Sequence, residues 1–133
     1  MATSTTEADI AALFDRWNES LQTGDPARVV ANYAERSILL PTMSDTPRLT
    51  AADKEDYFRH FLGDGPRGTV EMRHIDISGD MAVDTGLYTF AFAETGGTVR
   101  ARYSFVYRRD GAEWRIVSHH SSRMPEGVDG LTG

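Results

Sequence analysis

Two predicted strands near the end of the chain carry side chains that could hold an anion. Arg102 lies on one of them, and the adjacent His119 and His120 lie on the next. A guanidinium and an imidazole that both contact one ligand could bind its carboxylate or an enolate-like oxygen. Neighbouring residues of a strand point to opposite faces unless a bulge intervenes, so the two histidines are expected on different faces.

The length of the predicted hairpin loop decides which histidine stands opposite Arg102. A three-residue loop would pair Arg102 with His120, and a loop of two or four residues would pair it with His119. Either register brings an arginine beside a histidine. The alternative is that Arg102 pairs with an acidic neighbour such as Asp84 or Glu71, and that the histidines are ordinary sheet residues.

The carboxylate of Asp84 shares one predicted strand face with the aromatic rings of Tyr88, Phe90 and Phe92. If it is buried there, Asp84 could act as a general base. It could also be the counter-ion of an arginine on the next strand, the interpretation we favour. The candidate catalytic residues are therefore His119, His120 and Asp84.

Aromatic side chains are numerous enough both to fill a core and to line a cavity. Most must be core residues, but tyrosine hydroxyls in a dry site need hydrogen-bond partners and are suited to a cavity wall. The candidate ligand-binding residues are Arg102, His119, His120, Tyr88, Tyr103, Tyr57 and Trp17.

The usual marks of metal and cofactor chemistry are absent from the sequence. The chain has no cysteine, and adjacent histidines on a strand are poorly spaced for chelation. We find no G-x-G-x-x-G, P-loop or G-x-S-x-G pattern. We therefore expect neither a metal nor a cofactor.

Composition favours a soluble protein of one domain, spanning residues 1–133, with flexible tails at 1–5 and 127–133. The net charge of −6 argues against nucleic acid, and no apolar stretch is long enough for a membrane span, so we expect a cytoplasmic protein. Thirteen of the fourteen basic residues are arginine and one is Lys54. Residues 100–123 contain six arginines and two acidic residues, and this local positive charge favours a small anion over a polyanion as the ligand.

Apolar periodicity predicts three helices in the first half of the chain. Thr6 with Asp9 begins the first, which Gly24 follows. Asp25-Pro26 begins a short second helix with Tyr33 on its buried side. Ile38–Leu40 is a brief strand, and a third helix runs from Thr50 until Gly63 ends it.

From Thr69 onward the apolar period becomes two. Four strands are predicted at about 69–77, 81–93, 98–109 and 113–122, with turn residues between them. Gly86 in mid-strand indicates a bend or a close backbone approach. Helices followed by a meander predict an α+β domain, with the helices packed on a strongly curved antiparallel sheet.

Several segments together resemble a known family. They are Leu21–Asp25, Asp56–Leu62, Asp84–Phe90, Ala101–Gly111, Trp114–Ser122 and Met124–Glu126. The pattern resembles the NTF2-like superfamily (SnoaL-like, ketosteroid-isomerase-like), a cystatin-like cone of three helices wrapped by a bent antiparallel sheet. It is most similar to the association (hub) domain of calcium/calmodulin-dependent protein kinase II and its free-standing bacterial relatives.

The resemblance implies self-association through the sheet, as a homodimer or higher homo-oligomer, and a deep arginine-lined pocket that accepts small carboxylates. The hub pocket arginines fall on Thr85 and Ser104 in this chain, so Arg102 would have to serve instead. Free-standing members resemble accessory proteins of secondary-metabolite pathways, including polyketide and enediyne biosynthesis. More distant relatives include ketosteroid isomerase and polyketide cyclases.

Three functional hypotheses follow. The first is an oligomeric protein that binds a small anionic or carbonyl-bearing organic molecule through Arg102, His119 or His120, and tyrosine hydroxyls. The second is an isomerase, cyclase or lyase that uses a histidine or Asp84 for proton transfer. The third is an assembly module with an idle cavity.

Overall fold

The computed structural model describes residues 4–42 and 44–125. The tail predicted at 127–133 lies outside this range, as do the first three residues of the tail predicted at 1–5. Three α-helices, Glu7–Gln22 (α1), Pro26–Val30 (α2) and Ala51–Phe61 (α3), lie in the first half of the chain. None of the helices within these ranges is long and apolar enough to cross a membrane.

The helices begin where side chains can satisfy their first amide groups. Thr6 and Asp9 form a reciprocal capping box at α1, and Asp25 accepts a hydrogen bond from the amide of Ala27 at the start of α2. Thr50 caps α3 in the same way. The buried side of α1 consists of Ile10, Phe14, Trp17 and Leu21. Local sequence therefore determines where the helices begin, and the apolar stripe determines which side packs on the sheet.

Five strands form one sheet in the order β1-β5-β4-β3-β2. They are Tyr33–Leu40 (β1), Pro66–Ser78 (β2), Met81–Phe92 (β3), Thr98–Asp110 (β4) and Glu113–Arg123 (β5). The pairs β2–β3, β3–β4 and β4–β5 are antiparallel, as expected for a meander. The exception is β1, which pairs parallel with β5 at the edge of the sheet.

Two extra residues interrupt the regular strand pairing. Glu71 is unpaired between Val70 and Met72 in β2, and Val117 is unpaired in β5. A Cβ atom on Gly86 would lie 1.9 Å from the carbonyl oxygen of Met72, so the backbones approach too closely for any side chain there. The expected close approach at Gly86 is confirmed, and both bulges bend the strands that carry them.

Several element boundaries differ from the expectation, among them the start of β2, which is Pro66 and not about Thr69. Tyr33 is the first residue of β1 rather than part of the buried side of α2, so this strand begins well before Ile38. After α3 the chain continues as a 3₁₀ turn, and the left-handed residue that ends it is Gly65, with φ of 68°, not Gly63. The sequence predicts the turn in the right segment, but it offers several glycines for the left-handed position and does not show which one adopts it.

Candidate functional site

His119 and His120 lie on opposite faces of β5. His119 is buried among the helices, with 3% of its surface exposed, whereas His120 is exposed on the outer face opposite Ser104. The imidazole of His119 stacks on Phe105 with ring centroids 4.0 Å apart, and Trp17 contacts it edge-on. His119 is therefore the histidine that the fold places inside.

Both ring nitrogens of His119 are held by tyrosine hydroxyls. Nδ1 lies 2.8 Å from the hydroxyl of Tyr33, and Nε2 lies 3.2 Å from the hydroxyl of Tyr88. Trp17 donates its indole N–H to Tyr33 at 3.2 Å, and Tyr88 donates to Ser121 at 2.7 Å. The hydrogen-bond chain therefore links the indole to a serine through one imidazole and two phenols.

The number of available donors assigns the tautomer of His119. Tyr33 already accepts from Trp17, so its own proton is best used by donating to Nδ1. Nε2 then carries the proton and donates a hydrogen bond to Tyr88, whose own hydroxyl donates a hydrogen bond to Ser121. Every bond then points the same way, and Ser121 in turn contacts Thr42. Bonds aligned in this way polarise and reinforce one another.

The electrostatics of this chain favour neutral groups. Burial and, to a smaller extent, the charge of the neighbouring His120 lower the pKa of His119 from 6.5 to about 3. Burial also raises the pKa of Tyr33 and of Tyr88 well above the usual value of 10. The imidazole is therefore uncharged at neutral pH, and both phenols keep their protons.

A small hollow lies in the interior of the fold, in front of His119. Its volume is about 10 Å³, close to the least that can hold one water molecule. Four of the seven predicted ligand-binding residues line it, namely Trp17, Tyr57, Tyr88 and His119. The predicted residues therefore come together, but in a nearly filled space.

A larger cleft lies outside this hollow and shares Tyr57 and Phe61 with it. We name it the mouth cleft; its volume is about 520 Å³. It is lined by Ser44, Arg48, Tyr57, His60, Phe61, Asp64, Phe92, Thr95, Gly97, Thr98 and Val99. The guanidinium of Arg48 lies 5.8 Å from the Tyr57 ring centroid. The cleft thus combines apolar and aromatic walls with one guanidinium, that of Arg48, and one carboxylate, that of Asp64.

Sequence analysis missed Arg48, because a loop residue after β1 has no periodicity that shows where it points. In the structure its Nη1 contacts Asp56 at 3.3 Å, and its Nη2 donates to Ser44 at 3.2 Å. Its Nε–H is buried and meets no acceptor within the described ranges. A buried donor without an acceptor is uncommon in folded proteins.

Asp84 is a counter-ion, as favoured, but its arginine lies on the preceding strand. Its fully buried carboxylate contacts Arg73 of β2 at 2.9 Å and accepts from the hydroxyl of Tyr103 at 2.8 Å. Neither Asp84 nor Tyr103 lines the hollow. The two-residue turn between β2 and β3 could have revealed Arg73, because that register puts Arg73 and Asp84 on the same face.

The prediction that Arg102 stands beside a histidine is wrong. The loop between β4 and β5 has two residues, and the register it sets, from Asp110–Glu113 to Tyr107–Ile116, would place Arg102 opposite Ser121 and not His119. The extra residue Val117 then shifts every later pair by one. Arg102 consequently faces Ser122 on one side and Leu87 on the other, exposed on the outer face of the sheet. A turn sequence sets the register only as far as the first bulge.

The two positions matched to hub pocket arginines also lie away from the interior. Thr85 and Ser104 pair with each other across β3 and β4, half-buried on the outer face. No group of three or more histidine or acidic side chains in the described part of the chain could hold a metal ion. The interior chemistry of this fold therefore depends on His119, its tyrosines and the mouth cleft.

Comparison with solved structures shows the same fold in bacterial proteins. A proposed calcium/calmodulin dependent protein kinase II association domain from Xanthomonas campestris is 41% identical, with a TM-score of 0.86, over 95% of this chain and 96% of that one. An NTF2-like superfamily protein from Salmonella enterica is 20% identical, with a TM-score of 0.74, over 99% and 100% of the two chains. A proposed dehydratase of the NTF2-like family from Streptomyces avermitilis is 13% identical, with a TM-score of 0.77, over 88% and 94%.

Among curated proteins, none matches the sequence. The family model for the calcium/calmodulin dependent protein kinase II association domain matches residues 6–125, which is most of the chain. The fold of the NTF2-like neighbours agrees with the helices and sheet described above. The chain therefore belongs to the calcium/calmodulin dependent protein kinase II association domain family, and it shares the fold of NTF2-like proteins.

Proposed function

We propose that the protein binds a small organic carboxylate in the mouth cleft. The observation that carries the proposal is the guanidinium of Arg48 in the wall of this cleft, beside the aromatic rings of Tyr57 and Phe61. A carboxylate is the natural partner of a guanidinium, and apolar walls suit an aromatic or aliphatic body. A volume of about 520 Å³ fits a molecule of metabolite size.

Binding is better supported than catalysis because the obvious catalytic groups are already engaged. His119 uses both ring nitrogens on Tyr33 and Tyr88, and Asp84 is held by Arg73 and Tyr103. A general base must present a lone pair to the substrate. A binding protein of this kind would serve biosynthesis by carrying an acidic intermediate, the role that the resemblance to accessory proteins of secondary-metabolite pathways implies.

Calorimetric titration with phenylacetate tests the proposal, with phenylacetamide as the uncharged analogue. We expect saturable binding of the acid alone, weakened about tenfold or more by Arg48→Gln, because hydrogen bonds to charged groups contribute about 1.5–3 kcal/mol. Arg59→Gln is the matched control, since Arg59 also pairs with Asp56 but does not line the cleft. Equal affinity in both variants, or equal affinity for acid and amide, would contradict the proposal.

A second candidate is a proton-transfer enzyme of the isomerase, cyclase or lyase kind. One observation favours it, namely that the mouth cleft and the hollow in front of His119 share Tyr57 and Phe61. A carbonyl that reached the hollow would meet Tyr88 and His119. Exchange of α-protons of a bound ketone with deuterated water, abolished in His119→Gln at unchanged ligand affinity, would support this candidate over simple binding.

We also propose that two copies associate through the outer face of the sheet. Leu87 of β3 lies beside Met72 of β2, which is 56% exposed, and Val83 lies beside Val106 of β4. These apolar side chains form a patch on the face opposite the helices that is interrupted by Thr85, between Val83 and Leu87. Apolar patches of this kind are typical of subunit interfaces.

A further inference from the structure

The only lysine of the chain is buried without an acidic partner. Lys54 of α3 is 1% exposed, and no carboxylate of the described residues lies within ion-pair distance of it. Its Nζ donates to the carbonyl oxygens of Leu49, at 2.7 Å, and Ser37, at 3.2 Å. Lysine is seldom fully buried unless it is paired with a counter-charge.

The two carbonyl contacts do not by themselves explain a charged group. The N–H groups of a neutral side chain could satisfy the two carbonyl oxygens, without the free-energy cost of burying a charged group. An ammonium also has three N–H donors, and the contacts to Leu49 and Ser37 use two of them. The Tyr33 ring, whose centroid lies 6.0 Å from Nζ, adds attraction but no negative charge. The charge of the preceding residue, Asp53, raises the pKa of Lys54, but Asp53 forms no ion pair with it, and one N–H donor remains to be matched.

Lys54 forms part of a surface groove that is separate from the mouth cleft. We name it the α2–α3 groove; its volume is about 770 Å³, and the two sites share no lining residue. Its lining residues are Ala27, Val30, Ala31, Tyr33, Ala34, Glu35, Arg36, Leu49, Thr50, Ala51, Lys54 and Arg115. Three cations against one carboxylate line a wall that is otherwise largely apolar, and Leu49 is 57% exposed.

We propose that the α2–α3 groove is a second binding site, for an aliphatic carboxylate. The acid group accepts the third N–H of Lys54, with the guanidinium of Arg115 at the rim of the same groove, and the hydrocarbon chain lies against Val30 and Leu49. The bound acid places a carboxylate within hydrogen-bond distance of the ammonium, which no described residue does, and its hydrocarbon chain covers the apolar wall. Burial lowers the pKa of Lys54, and a bound carboxylate would raise it.

A single lysine makes the test direct, because labelling lysine with ¹⁵N gives one side-chain ammonium signal. We expect octanoate to shift the ¹⁵Nζ signal of Lys54 saturably and to raise its pKa, and octanamide to leave both unchanged. Arg115→Ala should weaken octanoate binding at least fivefold by this signal. Arg48→Gln is the matched control and should leave it unchanged, because Arg48 belongs to the mouth cleft.

The result that overturns the proposal is equally specific. A Lys54 signal that does not respond to millimolar octanoate, or a response that Arg48→Gln abolishes, would show that the groove is not a carboxylate site. Lys54→Met provides a second measurement, and we expect it to lose the octanoate isotherm that is independent of Arg48. If Lys54→Met does not fold, the titration of the unaltered protein still decides the question.

Discussion

The Nδ1 atom of His119 lies 2.8 Å from the hydroxyl oxygen of Tyr33, and both groups are buried. This contact fixes the ring orientation of the imidazole and, through the indole that also donates to Tyr33, its tautomer. A neutral histidine in this position is a structural element of the interior. Its charge state therefore links the stability of the fold to pH.

Acid should destabilise the protein through His119. The unfolded state takes up a proton below the ordinary pKa of 6.5, whereas burial lowers the pKa of the folded state to about 3. The stability from this group is present above pH 6.5 and is lost as the pH falls toward 3, at about 1 kcal/mol per pH unit. Urea unfolding between pH 7 and pH 4.5 measures the slope. His119→Gln should flatten it, and exposed His74→Gln should not; equal slopes would contradict the assignment.

Removing a tyrosine hydroxyl should lower the unfolding free energy only where that hydroxyl forms hydrogen bonds. Tyr33→Phe leaves the Trp17 indole without an acceptor and should cost about 2 kcal/mol of unfolding free energy. Tyr107→Phe is the control, because that buried hydroxyl has no hydrogen-bond partner among residues 4–42 and 44–125. It should be neutral or stabilising. Chemical denaturation checks both, and a larger loss in Tyr107→Phe would count against the hydrogen-bond chain.

The ion pair between Arg73 and Asp84 should be costly to break from one side. Arg73→Met leaves a fully buried carboxylate without its cation and should destabilise by about 3 kcal/mol. Adding Asp84→Asn should recover part of this loss. The control is Arg100→Met, whose pair with Glu71 is exposed and should matter by less than about 0.5 kcal/mol. Similar losses in the two arginine variants would contradict this account of the interior.

Gly86 should not tolerate even one added methyl group. Gly86→Ala would force a Cβ against the Met72 carbonyl, and we expect a loss of about 2–3 kcal/mol in thermal or chemical unfolding. Gly63→Ala is the matched control, because nothing lies within 4 Å of its added Cβ. A neutral Gly86→Ala would mean that β2 and β3 separate easily at the bulge.

A charge on the outer face should dissociate the proposed dimer. Leu87→Glu buries a carboxylate in the apolar patch and should give a monomer in analytical ultracentrifugation at micromolar concentration. Ala91→Glu, at the exposed end of the same strand, should leave the mass unchanged. A dimer that survives Leu87→Glu would place the interface elsewhere.

Local patterns predicted most of the elements, because caps, turns and alternation depend on residues close in sequence. Thr6, Asp25 and Thr50 act as helix caps as their side chains suggest. The placement of Arg102 failed for two reasons: a two-residue loop leads to Ser121 and not to His119, and Val117 then adds a residue to β5 that no local signal distinguishes from its neighbours. Arg48 could not be placed because the position of a loop depends on long-range contacts, here with Ser44 and Asp56.

The unpaired Glu71 changes the shape of β2 without changing the facing of its side chains. Val70 lies opposite Tyr88 before the extra residue and Arg73 lies opposite Gly86 after it, both on the helix side of the sheet. Deletion of Glu71 would leave the same side chains of β2 facing the helices, on a straighter strand. The curvature of β2 can therefore change at this position without changing which of its side chains face the interior. Within the family, insertion or deletion of this single residue would be enough to narrow or widen the interior.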